Sequence, residues 1–183
     1  FRYSDYTIRE YIRNFIMSTL ETNLIQPSSG TTLTVGASGD TITVPSGATL
    51  TAPNHIIQVV NGTVGQTDMA NTDDYIGSGL SITPSSTSSK IQIFVDGYVE
   101  QTTGSAGNYA ELQLREDTTN ITTLNNAITY QYTVGARIPF SINFTRSPST
   151  TSSVQYRLYH NEQSGGATYR YYQQAWTLME IAG

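Results

Sequence analysis

The sequence predicts a mainly β protein: a C-terminal jelly-roll-like β-sandwich, preceded by a short β-repeat collar and a single N-terminal α-helix. Three observations predict it. Charged residues make up 13% of the chain and hydrophobic ones 37%, and the polar remainder is rich in Thr, Ser, Gly, Asn and Gln, with 13 tyrosines. Thr and Tyr suit pleated, half-buried surfaces. From residue 54 onward, short stretches of alternating apolar and polar residues recur between separators such as SPSTTSS and NEQSGGAT, which is the pattern of strands and turns. Only near the N-terminus does the apolar period lengthen to that of a helix.

That N-terminal stretch reads SDYTIREYIRNFIMSTLETNLI and places Ile8, Tyr11, Ile12, Phe15, Ile16 and Leu20 along one helical face. Thr7 and Glu10 form a T-x-x-E capping box, with Ser4 as a competing N-cap. The helix is expected to end near Asn23, ahead of Gln26-Pro27, because proline pushes its predecessor out of the helical region. A helix of about five turns is marginal alone in water. Its apolar stripe, with Ile8, Ile12 and Phe15 as the expected contacts, therefore needs cover. Sister copies, another protein or the chain's own β domain could supply it.

Residues 30–52 write nearly one phrase three times: TLTV at 32–35, TITV at 41–44 and TLTA at 49–52. Leu33, Val35, Ile42, Val44 and Leu50 alternate with threonine, so they share one face of an extended chain. Gly36, Gly39 and Gly47 supply tight turns, and Asp40 and Pro45 flank the phrases. Each phrase is too short to bury its own face. It reads either as ordinary hairpin strands or as stacked or intertwined rungs covered by neighbouring chains. A calcium-binding repeat would carry an Asp at every turn, whereas only Asp40 is present. The expectation is a scaffold collar over 27–53 with the five apolar residues buried, joining an anchor over 1–26 to a head over 54–183.

Within the head, strands are expected at 55–64, 79–84, 90–100, 109–116, 128–134, 137–146, 153–161 and 170–182. Ile91, Ile93 and Val95 share a face, as do Leu112 with Leu114, and Phe140 with Ile142 and Phe144. About eight strands over this length argue for two packed sheets. The terminal WTLMEIAG is too apolar to dangle, which predicts a central last strand.

Three phrases carry a resemblance: GLSITPSSTSSKIQIFVDG at 79–97, IPFSINFTRSPSTTSSVQYRLYH at 138–160, and WTLMEIAG at the end. Together they resemble a C-terminal module of tail-fibre and other virion-appendage proteins of marine tailed phages, cyanophages included. The repeat resembles the linker that precedes such modules. The likeness covers roughly 30–183 and leaves the helix outside it. It implies a trimeric virion protein with a β-sandwich head, and its motifs carry no catalytic signature.

Chemistry is sparse. Net charge is −5 with nine Lys and Arg, so there is no basic stripe for a phosphate backbone and no nucleic-acid partner is expected. No apolar run reaches the roughly 18 residues of a membrane span, and no membrane insertion is expected. The absence of cysteine excludes disulfides, thiolate metal sites and a Cys nucleophile. His55 and His160 lack metal-ligand spacing, and no G-x-S-x-G elbow occurs. A glycosidase would need paired carboxylates. Asp96 with Glu100, or Glu111 with Glu116 or Asp117, are the available pairs, but they read more simply as a strand bend and a hairpin end. No enzymatic activity, metal or cofactor is expected. Tyr169, Tyr171 and Tyr172 are the expected ligand surface, since tyrosine offers an apolar ring with a polar tip to sugars or proteins. The chain is thus expected to be a non-enzymatic, trimeric structural protein of the virion. It would attach to other virion proteins through 1–26 and meet a host cell-surface glycan or protein with its head. A capsid-decoration (head-fibre) protein docked on the major capsid protein is the alternative, and a glycan-cleaving tail tip a distant third.

Overall fold

The computed structural model describes residues 24–48, 52–70, 72–105, 107–124, 134–163 and 166–183. The chain divides into two units, Phe1–Thr49 and Leu50–Gly183. The expected helix with Ile8, Ile12 and Phe15 lies outside the described residues, as do Leu50 and nearly all of the strand expected at 128–134.

In the first unit the turn words fold as their residues require. The Asp40 carboxylate accepts a hydrogen bond from the Ala37 N–H at 2.7 Å, and the Asp40 N–H donates to the Ala37 carbonyl at 3.1 Å. Gly36 and Gly39 take φ values of 82° and 94°, where an L side chain is strained. The β collar is not found: no strand occurs among residues 24–48. Leu33, Val35, Ile42 and Val44 are 45 to 65% exposed in the single chain, so the described residues leave uncovered the face that neighbouring chains are expected to bury. Phrases of four residues with no layer beneath them bury too little apolar surface to offset the entropy of ordering the backbone.

The second unit holds Ile56–Val64 (β1), Thr67–Met69 (β2), Asp74–Ile82 (β3), Lys90–Thr103 (β4), Ala110–Glu116 (β5), Thr119–Leu124 (β6), Arg137–Arg146 (β7), Val154–Glu162 (β8), Thr168–Tyr171 (β9) and Gln174–Ile181 (β10). All pairings are antiparallel. One sheet runs β1-β10-β4-β9-β2, with β7 on the other edge of β4, and the second runs β3-β8-β5-β6. Val64 lies opposite Gln174 and Thr67 opposite Tyr171, so β1 and β2 keep one register against β10 and β9. Each of these pairs acts as one interrupted strand, and the unit is a two-sheet β-sandwich.

The alternation read from the sequence becomes the two sides of each sheet. In β4, Ile91, Ile93, Val95 and Val99 are buried, while Lys90, Asp96 and Tyr98 are exposed. Leu112, Leu114, Tyr156, Leu158, Phe140, Ile142, Trp176 and Leu178 join them in one core. Fully burying a large apolar side chain is worth roughly 1.5–3 kcal/mol, so the sandwich, unlike the repeat, has the means to order within one chain.

Four elements differ from expectation, the short β2 among them, which no expected strand covers. β6 follows a two-residue hairpin at Asp117-Thr118, with Asp117 at φ 51°; its sequence TNITTL is too polar to announce a strand. β3 begins at Asp74, five residues before the expected start, because DYIGSG reads as turn. The last expected strand breaks at Tyr172-Gln173 into β9 and β10.

β10 lies between β1 and β4, as an apolar terminus demands. Near its end the buried Glu180 is held by four donors. Ser85 N–H and Oγ at 2.7 Å, Ser89 Oγ at 2.6 Å and Gln58 Nε2 at 2.6 Å all reach its carboxylate. Burial alone would raise this carboxyl, but the hydrogen bonds outweigh it and hold the group below its ordinary range. The cage pins the C-terminal strand to the β3–β4 loop.

Candidate functional site

Strand geometry separates the C-terminal tyrosines. Tyr169 and Tyr171 sit at alternate positions of β9, and both rings are fully buried. Reading them as a ligand surface is therefore corrected: the shared face exists, but it looks into the sandwich. His160, buried on β8, lies 5.0 Å from the Tyr169 ring and 5.8 Å from the Tyr171 ring. Burial pushes its imidazole down to about 4, against the charge of Asp73. The ring is thus neutral. Its Nε2 donates to the Glu162 carboxylate at 3.1 Å, and its Nδ1 accepts from the Tyr171 hydroxyl at 2.9 Å. The hydroxyls of Tyr169 and Tyr171 are pushed well above their ordinary range, chiefly by burial. This Tyr–His–Glu chain has the composition of a proton relay, but His160 and Tyr171 expose no surface. It works as a polar clamp inside the core.

Tyr172, the third expected ligand residue, is part-buried in the break between β9 and β10. Its hydroxyl donates to the Glu100 carboxylate. Arg137 Nε donates to the same oxygen at 3.3 Å, with its guanidinium 4.1 Å from the Tyr172 ring centre. Beside this group Arg170 grips Asp68 with two bonds of 2.8 and 2.9 Å. The Tyr172 hydroxyl, followed by Arg137, holds Glu100 below the usual carboxylate range. A glycosidase acid needs the opposite shift.

Of the other carboxylates considered for such a pair, Glu116, Glu111 and Asp117 have partners. Glu116 is held by Arg146 at 2.9 and 3.0 Å and by the Tyr156 hydroxyl at 3.1 Å. Glu111 accepts from Asn161 at 2.9 Å, and Asp117 from the Gln155 N–H at 3.0 Å. Asp96 is exposed on β4. His55 sits at the turn before β1 with Nδ1 against the Ala52 carbonyl. Among the described residues no three His, Asp or Glu side chains converge as metal ligands.

The outer face of the second sheet carries a different cluster. Tyr75 on β3 lies opposite Tyr159 on β8, and Tyr159 opposite Gln113 on β5; one step along, Arg157 lies opposite Arg115. The two tyrosine rings meet edge-on at 5.1 Å. Arg115 lies 3.3 Å from the centre of the Tyr159 ring, and its Nε and Nη2 donate to Gln113 Oε1 at 3.1 and 2.9 Å. Arg157 lies 3.6 Å from the centre of the Tyr75 ring, and its Nη2 donates to the Asp117 carbonyl at 2.8 Å. The sequence reading missed this group. A period of two does place Arg157 with Tyr159, and Gln113 with Arg115, on common faces, but neither phrase tells which strand lies beside which.

No family model matches the chain, and no curated protein matches it. Among solved structures it is similar to T=1 particles derived from the VP2 protein of infectious bursal disease virus, at 11% identity and a TM-score of 0.44, covering 78% of this chain and 40% of that one. A subviral particle of the same VP2 gives 13% identity and a TM-score of 0.42, over 79% of this chain and 38% of that one. Endospore appendages of Bacillus, which form disulfide-linked pili, give 14% identity and a TM-score of 0.32, over 75% of this chain and all of that one. The chain spans about two fifths of the length of the viral proteins it is similar to.

Proposed function

We propose that this chain is a non-enzymatic structural protein of a phage particle, a homotrimer held to other virion proteins through residues 1–26 and displaying its β-sandwich for attachment to the host surface. The observation that carries this reading is the uncovered repeat: Leu33, Val35, Ile42 and Val44 are exposed in the single chain. Apolar alternation of this kind calls for cover, and sister chains crossing one another's phrases would supply it. The resemblance of 30–183 to virion-appendage modules supports the same reading. So does the engagement of Glu100, Glu111, Glu116 and Asp117 by structural partners, which favours binding over hydrolysis.

The strand order supports treating the sandwich as a jelly roll. With β1/β2 and β9/β10 each counted as one strand, the described residues hold eight in two sheets of four. Every connection crosses to the opposite sheet except the β5–β6 hairpin, as two interleaved Greek keys require. Three such heads on one stalk would turn weak single contacts into firm attachment, by roughly 10²–10⁴. Light scattering on the chain with and without residues 1–26 tests the assembly. A trimer is expected for the full chain, and a monomer in both cases defeats the reading.

A further inference from the structure

We propose that the outer face of the second sheet, at Arg115, Arg157, Tyr75 and Tyr159, binds an anionic sugar polymer through its carboxylate or sulfate groups. Arg115 and Arg157 are direct cross-strand partners, a placement in which like charges repel at a side-chain separation of about 5 Å. Among the described residues neither forms an ion pair, whereas the other three arginines of this unit, Arg137, Arg146 and Arg170, are each bonded to a carboxylate. In a chain of net charge −5, two cross-strand guanidiniums with no ion pair among the described residues leave positive charge unmatched, and charge complementarity favours an anion.

The pair is also built in place. Arg115 is locked between Tyr159 and Gln113, and Arg157 between Tyr75 and the Asp117 carbonyl. β3 makes room for it. Ile76 lies opposite Leu158 and Leu80 opposite Tyr156, so Gly77, Ser78 and Gly79 together oppose the single residue Arg157. Both glycines have positive φ, 70° and 66°, and a Cβ on Gly79 would lie 2.5 Å from Arg157 Cγ and 2.0 Å from the Tyr156 carbonyl. Bulges of this kind re-aim side chains. Guanidiniums fixed in advance lose less entropy on gripping a planar oxyanion. An open sheet face, with part-exposed tyrosine rings beside the cations, suits an extended chain of acidic sugars better than a small enclosed anion.

This inference rests on the surface-attachment reading above. Its test is affinity electrophoresis of the full chain through gels holding alginate (carboxylated), dextran sulfate (sulfated), neutral dextran or polyglutamate. Retardation by one or both acidic sugar polymers, and none by neutral dextran, is expected; the polymer that retards identifies the anion. Arg115→Gln and Arg157→Gln should each weaken retardation roughly tenfold, the loss of one charge-assisted contact. Arg115→Lys should recover only part of it, and Arg137→Gln, on the other sheet, should leave it unchanged. No retardation by either sugar polymer overturns the proposal. So does retardation by polyglutamate alone, which would indicate an acidic protein partner, or an equal loss in Arg137→Gln. A trimer that ignores both polymers sinks this inference and leaves the appendage reading standing; a monomer retarded through Arg115 and Arg157 does the reverse.

Discussion

His160 is a pH-dependent strut of the core. Its neutral ring bridges the Tyr171 hydroxyl and the Glu162 carboxylate, and burial holds its pKa near 4 instead of the ordinary 6.5. Between these values the unfolded chain binds a proton that the folded chain refuses. Stability from this group is therefore complete above about pH 6.5, falls as pH drops through the window, and is lower by about 3 kcal/mol at pH 4. Urea titrations across the window should show His160→Gln with a shallower decline than the parent chain. Parallel declines in the two proteins would mean that other groups govern the acid limb. Nothing in the sequence identified this role, because YRLYHN says only that His160 shares a face with Leu158 and Tyr156.

Among the elements, β10 combines edge pairing, core burial and a polar cage. It is hydrogen-bonded along both edges, buries Trp176 and Leu178 in the core, and ends in the Glu180 cage. Deleting residues 176–183 leaves β1 and β4 without their shared partner and is expected to abolish soluble expression; a soluble, native-like truncation would contradict this. Elements were legible where the period of two was clean. β4, β7 and β8 fall close to where their alternation predicts. β3 and β6 were not, for opposite reasons. In β3 the glycines look like turn punctuation but form a bulge that accommodates Arg157. β6 is polar along most of its length and is recruited by β5 through the Asp117 turn.

For the whole molecule, the contrast between its two units matters most. Residues 50–183 bury a full core within one chain, whereas residues 24–48 expose every apolar residue of the repeat that the structure describes. If sister chains supply the missing cover, Ile42→Asp combined with Val44→Asp should lower the oligomeric mass in light scattering. The thermal transition of the sandwich should stay where it is, because neither residue belongs to its core. An unchanged mass would count against the intertwined repeat.

Local pattern alone specifies the β class, the turns, the partition of most strands into two faces and the need to bury the C-terminal end. These follow from local period, turn chemistry and apolar content, which each segment carries alone. Only the tertiary structure decided which face looked inward, and with it that Tyr169 and Tyr171 are core rather than surface. It alone set Arg115 opposite Arg157, and it left the repeat uncovered within one chain. Strand pairing across the sandwich joins residues far apart in sequence, and no local pattern encodes which neighbour a strand will meet.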